Sequence, residues 1–229
     1  MSFIVDHVTV RFQCRIALDD VSAALDERRI AVIGDNGSGK STFARVLNGL
    51  ILPDEGRVLV DGRDTLTMGD KIRAHVGFCF QNPDTQLVMP TVAEDLALGL
   101  KPLKLAPADI EQRVEDTLDR FEIAHLAQRS VHMLSGGEKQ LVALAGVMIT
   151  APDTVICDEP TTLLDRRNAA NVLAVLKDLA CRVILVTHDL GQIADFDRAV
   201  WFHDGLIAAD GSPSEVAAAY EKSLSGIRA

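Results

Sequence analysis

The stretch Gly34-Asp35-Asn36-Gly37-Ser38-Gly39-Lys40-Ser41-Thr42 satisfies G-x-x-x-x-G-K-[ST], the pattern of a phosphate-binding loop. Glycines let backbone N–H groups approach an anion closely. A helix starting at the end of the loop adds a dipole that favours phosphate. Lys40 is the only cation in the stretch and is expected to reach β- and γ-phosphates, with the Ser41 hydroxyl helping to hold Mg²⁺. Asn36, Gly37, Ser38, Gly39 and Thr42 complete the cradle. Downstream, the apolar run Thr154-Val155-Ile156-Cys157 ends in two carboxylates, Asp158 and Glu159. Adjacent acids downstream of such a loop are where Mg²⁺ and a water are handled. A merely solvated strand end is the weaker reading. His188 follows Val183-Ile184-Leu185-Val186-Thr187, and a histidine at the end of a parallel strand faces the ligand edge of its sheet. In Leu134-Ser135-Gly136-Gly137-Glu138-Lys139-Gln140, Ser135 and Glu138 fit a capping box. Two glycines there cost more than a cap requires, and they suit close approach to a ligand.

The elements that must position these groups follow from periodicity. Arg29-Ile30-Ala31-Val32-Ile33 is a short buried strand before the loop, and Phe43, Val46, Leu47, Leu50 and Ile51 give the helix after it. Residues 3–12 and 16–25 form two strands, and 57–62 and 76–80 two more. Gln81-Asn82-Pro83-Asp84 ends the last of these, because a residue before proline is held extended. Thr91 and Glu94 form a second capping box and start a helix to about Leu100. A further helix carries Ile110, Val114, Leu118 and Phe121 on one face. Val200–His203 and Leu206–Ala208 close the chain's sheet as a hairpin around Asp204-Gly205. Phe12 admits two readings, ordinary core or a platform for an adenine ring, and the residue alone favours core.

The 229 residues suit one α/β domain with an inserted subdomain, or two small domains. A net charge of -10 argues against broad binding to nucleic acid driven by phosphate attraction. Cys14, Cys79, Cys157 and Cys181 match no disulfide or zinc spacing and point to a reducing cytosol. The N-terminus lacks a basic n-region and an apolar h-region, so no signal peptide is expected. No apolar run reaches the roughly 18 residues of a membrane span. Any link to a membrane is then through a partner.

Taken together, the motifs resemble the ATP-binding-cassette ATPases over nearly the whole chain. The loop at 34–42, Gln81 at a strand end, Leu134-Ser135-Gly136-Gly137-Glu138, the acidic strand 154–159, Asp165 closing Pro160–Asp165, and His188 stand in that family's order. The resemblance implies an α/β P-loop cassette with a mostly parallel core sheet and an antiparallel β-subdomain (1–81 and 149–229) plus an inserted helical subdomain (82–148). It implies two chains, as a homodimer, sandwiching two ATP molecules between the loop of one and Ser135, Gly136 and Gly137 of the other. It implies Asp158, Ser41 and Gln81 at Mg²⁺, Glu159 polarising the attacking water, and His188 at the γ-phosphate. It also places adenine on Phe12, against the reading from the residue alone. Three positions depart from the family pattern: Leu163-Leu164 for Gly-Leu or Ala-Leu, Glu138 for Gln, and Leu141 for Arg.

A narrower likeness lies in Phe80–Leu87 and Pro90–Asp95, which resemble the ATPase subunits of energy-coupling-factor importers. That implies ATP hydrolysis at the cytoplasmic face of a bacterial cell membrane. The implied partners are a transmembrane coupling protein and a substrate-binding membrane subunit, without nucleic acid. Biotin is the expected cargo, with cobalt and nickel as rivals. A soluble cassette acting on nucleic acid and an inactive regulatory cassette are the alternatives from other classes. The region Gln86 to Val92 is expected as the coupling surface, with Leu87, Val88 and Met89 as an exposed apolar patch between two turn signals. The bland alternative folds them back into the helical subdomain's own core.

Overall fold

The structure, a computed structural model, describes residues 1–226. In chain order the elements are β1 (Phe3–Phe12), β2 (Arg15–Leu25), β3 (Arg29–Gly34), α1 (Lys40–Leu47), β4 (Glu55–Val60), β5 (Arg63–Asp64), α2 (Thr65–Arg73) and β6 (Val76–Cys79). Then follow α3 (Val92–Leu100), α4 (Pro107–Arg120), α5 (Gly136–Met148), β7 (Thr154–Asp158), α6 (Arg166–Asp178), β8 (Arg182–Val186), β9 (Arg198–His203), β10 (Leu206–Gly211) and α7 (Pro213–Gly226).

Strands β3, β7 and β8 are almost wholly apolar and buried, the pattern of strands covered on both faces. They form the middle of a six-stranded sheet ordered β10-β9-β3-β8-β7-β6, parallel except for β10. The register aligns Val32 with Val186, Asp158 with Val186, and Cys79 with Cys157. The chain therefore leaves β3, β6, β7 and β8 at one common edge. A second, antiparallel sheet runs β2-β1-β4-β5. Helix α1 lies between the sheets. Phe43, Val46 and Leu47 pack there with Phe3, Leu18, Ile30, Val58 and Phe202. The expected α/β architecture, with a mostly parallel sheet and a small antiparallel one, is the observed one.

The chain between β6 and β7 is helical. Its core of Leu96, Leu100, Val114, Leu118 and Leu126 continues through α5 to α6 and to Val155, Val183 and Leu185 of the sheet. Both capping boxes are present: Thr91 with Glu94 on α3, and Ser135 with Glu138 on α5. Helices α2, α6 and α7 have no counterpart in the sequence reading. Helix α2 buries only Thr65 and Ile72 and contains a residue outside helical geometry, Met68, so it carries little periodicity.

Leu87-Val88-Met89 requires a correction. Leu87 is only 8% exposed and joins the helical core, and Met89 is half-buried. Only Val88 lies open, at 66%. The N–H groups of Val88 and Met89 both donate to Asp95 Oδ1, at 2.8 and 2.9 Å, which fastens the turn to the start of α3 and tucks Leu87 inward.

Candidate functional site

The loop between β3 and α1 takes its shape from positive-φ glycines. Gly39 has φ +108°, and a Cβ there would stand 2.6 Å from the Ala17 carbonyl oxygen, so no other residue fits. The loop is braced by neighbours: Gly205 N donates to Ser38 O at 2.9 Å, and the Tyr220 hydroxyl donates to Asp35 Oδ1 at 2.6 Å. Lys40 is 3% exposed, and its Nζ donates to the Asp35 carbonyl at 2.7 Å. Burial lowers its pKa, against the pull of Glu159 and Asp158.

The common strand edge brings the other groups to this loop. Ser41 Oγ donates to Asp158 Oδ1 at 2.7 Å, and Arg45 Nη2 lies 3.4 Å from Asp158 Oδ2. Asp158 is 1% exposed, and burial raises its pKa despite the Ser41 hydrogen bond and the Arg45 charge. Glu159, 6% exposed, adopts a left-handed φ of 48° as the chain turns off β7. Three groups converge on its carboxylate. Lys40 Nζ is 3.6 Å from Oε1, Gln81 Nε2 donates to Oε2 at 3.3 Å, and His188 Nδ1 is 3.5 Å from Oε2. Thr162 Oγ1 adds a donor at 2.9 Å.

In front of these groups lies a cavity of about 360 Å³, lined by Phe12, Arg15, Ala17, Asn36, Gly37, Gly39, Lys40, Ser41, Thr42, Gln81 and Glu159. Phe12 is 47% exposed at its rim, so the core reading from the residue alone is wrong. The residues fit a polyphosphate with a divalent cation. The buried Ser38 Oγ has no hydrogen-bond partner among the described residues. Lys40 presents a buried cation, and the Ser41–Asp158 pair offers hard oxygen donors of the kind Mg²⁺ takes.

Ser135, Gly136 and Gly137 do not line this cavity. Ser135 and Gly136 are exposed, and Ser135 and Gly137 border a separate groove between α5 and α6. Gly137 also has a reason within its own chain: a Cβ there would stand 2.5 Å from Asn168. Sequence reasoning missed Arg45, Thr162 and Arg15. Arg45 had a signal, since it lies one helical turn from Ser41 and so on the same face. Arg15 had none, because only the β1–β2 hairpin carries it to the loop. Away from the site, His7 pairs with Asp20 at 2.7 Å and His75 with Asp153 at 2.8 Å on the surface.

Residues 18–162 match the family model described as ABC transporter. The chain belongs to that family. It is an ATP-binding ATPase domain of the kind that couples hydrolysis to transport. Its relatives include the biotin transport ATP-binding protein BioM of Rhizobium etli, 47% identical over 93% of this chain and 95% of its own length. The energy-coupling factor transporter ATP-binding protein EcfA1 of Symbiobacterium thermophilum is 44% identical over 88% of this chain and 73% of its own. Relatives at up to 50% identity are named as ABC transporter ATP-binding proteins with no substrate stated. Among solved structures, cbiO1 of Clostridium perfringens, part of the ABC transporter complex cbiONQ, superposes with a TM-score of 0.83 at 32% identity. That match covers 94% of this chain and 90% of cbiO1.

Proposed function

We propose that this ABC cassette is the ATP-hydrolysing subunit of an energy-coupling-factor importer and that its cargo is biotin. The names of the BioM and EcfA1 relatives support the transporter type and the cargo. One observation carries the catalytic assignment: Lys40, Gln81 and His188 meet at the carboxylate of Glu159. Lys40, with the backbone of Asn36 to Gly39 and the hydroxyls of Ser41 and Thr42, binds the phosphate chain, and Phe12 takes the adenine. Ser41, Asp158 and Gln81 would hold Mg²⁺, which would supply charge neutralisation on the phosphates. Glu159 polarises the attacking water, and His188 contacts the γ-phosphate. On nucleotide binding Lys40 turns from Asp35 and Glu159 toward phosphate, which frees the Glu159 carboxylate for water.

Ser135 and Gly136 are exposed and stand away from Lys40's cavity. They serve the site of a second copy, so two chains close over two nucleotides. Among the described residues no helix is long and apolar enough to cross a membrane. The cassette works against the cytoplasmic face of the membrane through a transmembrane coupling protein and a substrate-binding subunit. The subdomain limits 82–148 and the core limits 1–81 and 149–229 belong to this reading.

Glu159→Gln keeps the shape and removes the charge. The variant is expected to bind ATP as tightly as the parent and to lose turnover by about 10²-fold or more. Hydrolysis at the parent rate rejects Glu159 as the base. Uptake of labelled biotin by vesicles carrying the whole transporter, with cobalt and nickel in parallel, tests the cargo.

A further inference from the structure

Arg15 opens β2, and its strand partner across the β1–β2 hairpin is Phe12. Side chains directly paired across antiparallel strands point to one face. Here that face is the nucleotide cavity, since both residues line it. The Arg15 guanidinium donates to the Gly37 carbonyl and lies over Gly37, whose position for a Cβ is 3.1 Å from Arg15 Nη2. The cavity thus has two cations. Lys40 rises from its floor, buried, and Arg15 hangs from its outer rim, exposed. Arg15 forms no ion pair among the described residues. Every other exposed or half-buried arginine named around the site is committed: Arg45 faces Asp158, and Arg11 faces Glu55 at 2.8 Å. A flat guanidinium with unused N–H donors, beside an aromatic ring and a phosphate loop, suits a ligand that is aromatic at one end and anionic at the other.

We infer that Arg15 is a nucleotide-positioning residue that clamps the phosphate chain from the hairpin side, opposite Lys40. The inference rests on the reading of this cavity as the ATP site. Arg15 holds the loop at the Gly37 carbonyl and does not touch Glu159, whose carboxylate contacts Lys40, Gln81, His188 and Thr162, so its hold is equal in ground state and transition state. Such uniform binding lowers KM and does not speed the chemical step. Arg15 therefore favours ATP and ADP over adenosine, which carries no phosphate, and it ties Phe12's hairpin to Gly37 before nucleotide arrives.

The test uses the full chain, with Arg15→Ala, Arg15→Gln and Arg15→Lys. Affinities for ATP, ADP and adenosine are measured by titration calorimetry, and steady-state ATPase kinetics are run beside them. Arg15→Ala is expected to weaken ATP and ADP alike by about tenfold, to leave adenosine binding as it was, and to place its kinetic loss in KM. Arg15→Gln keeps a donor for the Gly37 carbonyl without the charge, so it should behave like Arg15→Ala. Arg15→Lys should recover most of the affinity. The advantage of the parent over Arg15→Ala should shrink at high salt. The inference is overturned if Arg15→Ala binds ATP and ADP like the parent, or if Arg15→Gln does, which would leave only a brace for the loop. A loss confined to kcat also overturns it. A parent chain that binds no nucleotide, or a Lys40→Ala variant that binds it unchanged, refutes the ATP-site reading itself.

Discussion

At the residue scale, the site is built at a cost that its ligand can relieve. Asp158 is nearly sealed from water, and burial pushes its carboxyl pKa up from the ordinary value. Its ionised form is thus worse off in the folded chain than in the unfolded one. The sign follows from linkage: its contribution to stability is most favourable at low pH and is lost as pH rises through the raised folded value. Lys40 is shifted the opposite way by the same cause, so its proton is held less tightly when folded. Its penalty applies at neutral pH and fades as pH climbs through the lowered folded value toward the unfolded one. Neutralising either group should therefore stabilise the nucleotide-free chain. Asp158→Asn keeps an acceptor for Ser41, and it is expected to raise the melting temperature of the nucleotide-free chain at pH 7.5. That gain should shrink as pH falls, because the parent then protonates Asp158. Thermal melts from about pH 3 to about pH 8, a range that includes the ordinary carboxylate value, with buffers matched to about the same ionic strength, check both parts. A variant that melts below the parent at pH 7.5 contradicts the account.

At the element scale, what could be read from sequence was whatever depends on neighbours along the chain. Both capping boxes and the strand before the phosphate loop rest on spacings of a few residues, and they stand where expected. Helix α6 was not legible, since it buries only Val172 and Leu176 along thirteen residues. Leu87 was misread for a related reason. Its burial depends on Asp95 fastening the turn and on a core made by distant helices. The same turn holds a link no local pattern announced. Gln86 accepts from Phe80 N at 3.2 Å and donates to the Ala143 carbonyl at 2.9 Å, so one side chain joins the end of β6 to α5. The corrected geometry separates two substitutions that the sequence treated alike. Leu87→Asp buries an unpaired charge and should cost about 3 kcal/mol or more of stability. Val88→Asp alters an exposed side chain and should change stability by less than about 0.5 kcal/mol. If this turn docks the membrane coupling protein, Val88→Asp should keep ATP hydrolysis by the isolated subunit and weaken co-purification with that partner. Denaturant melts and pull-downs measure each. Unimpaired assembly of a well-folded Val88→Asp would remove the turn from the interface.

At the scale of the whole molecule, the chain's candidate site residues stand in two separate places. Its loop, acids and histidine gather at one sheet edge. Its Ser135-Gly136-Gly137 segment starts α5 and contributes no residue to the lining of Lys40's cavity. Two large apolar side chains near that segment stay open: Met133 is 75% exposed and Leu163 is 64% exposed. Leu164 lies partly buried beneath, its Cδ2 at 3.6 Å from where a Gly136 Cβ would stand. The unusual Leu163-Leu164 pair thus divides its work, with Leu164 packing at home and Leu163 left for whatever covers this face. A second copy laying its nucleotide against the α5 N-terminus answers both features, because that terminus offers free N–H groups to phosphate. Ser135→Arg tests the arrangement. The arginine stands on an exposed cap, so the fold should survive with the loss of one N-cap, about 1 kcal/mol. Binding of a single nucleotide by the monomer should stay within about twofold of the parent, since Lys40's cavity is untouched. ATP-dependent dimerisation, followed by light scattering in a Glu159→Gln background to prevent turnover, should be lost. Weakened nucleotide binding by the monomer would instead mean that Ser135 serves its own chain's site, and the two-chain arrangement would fall with it.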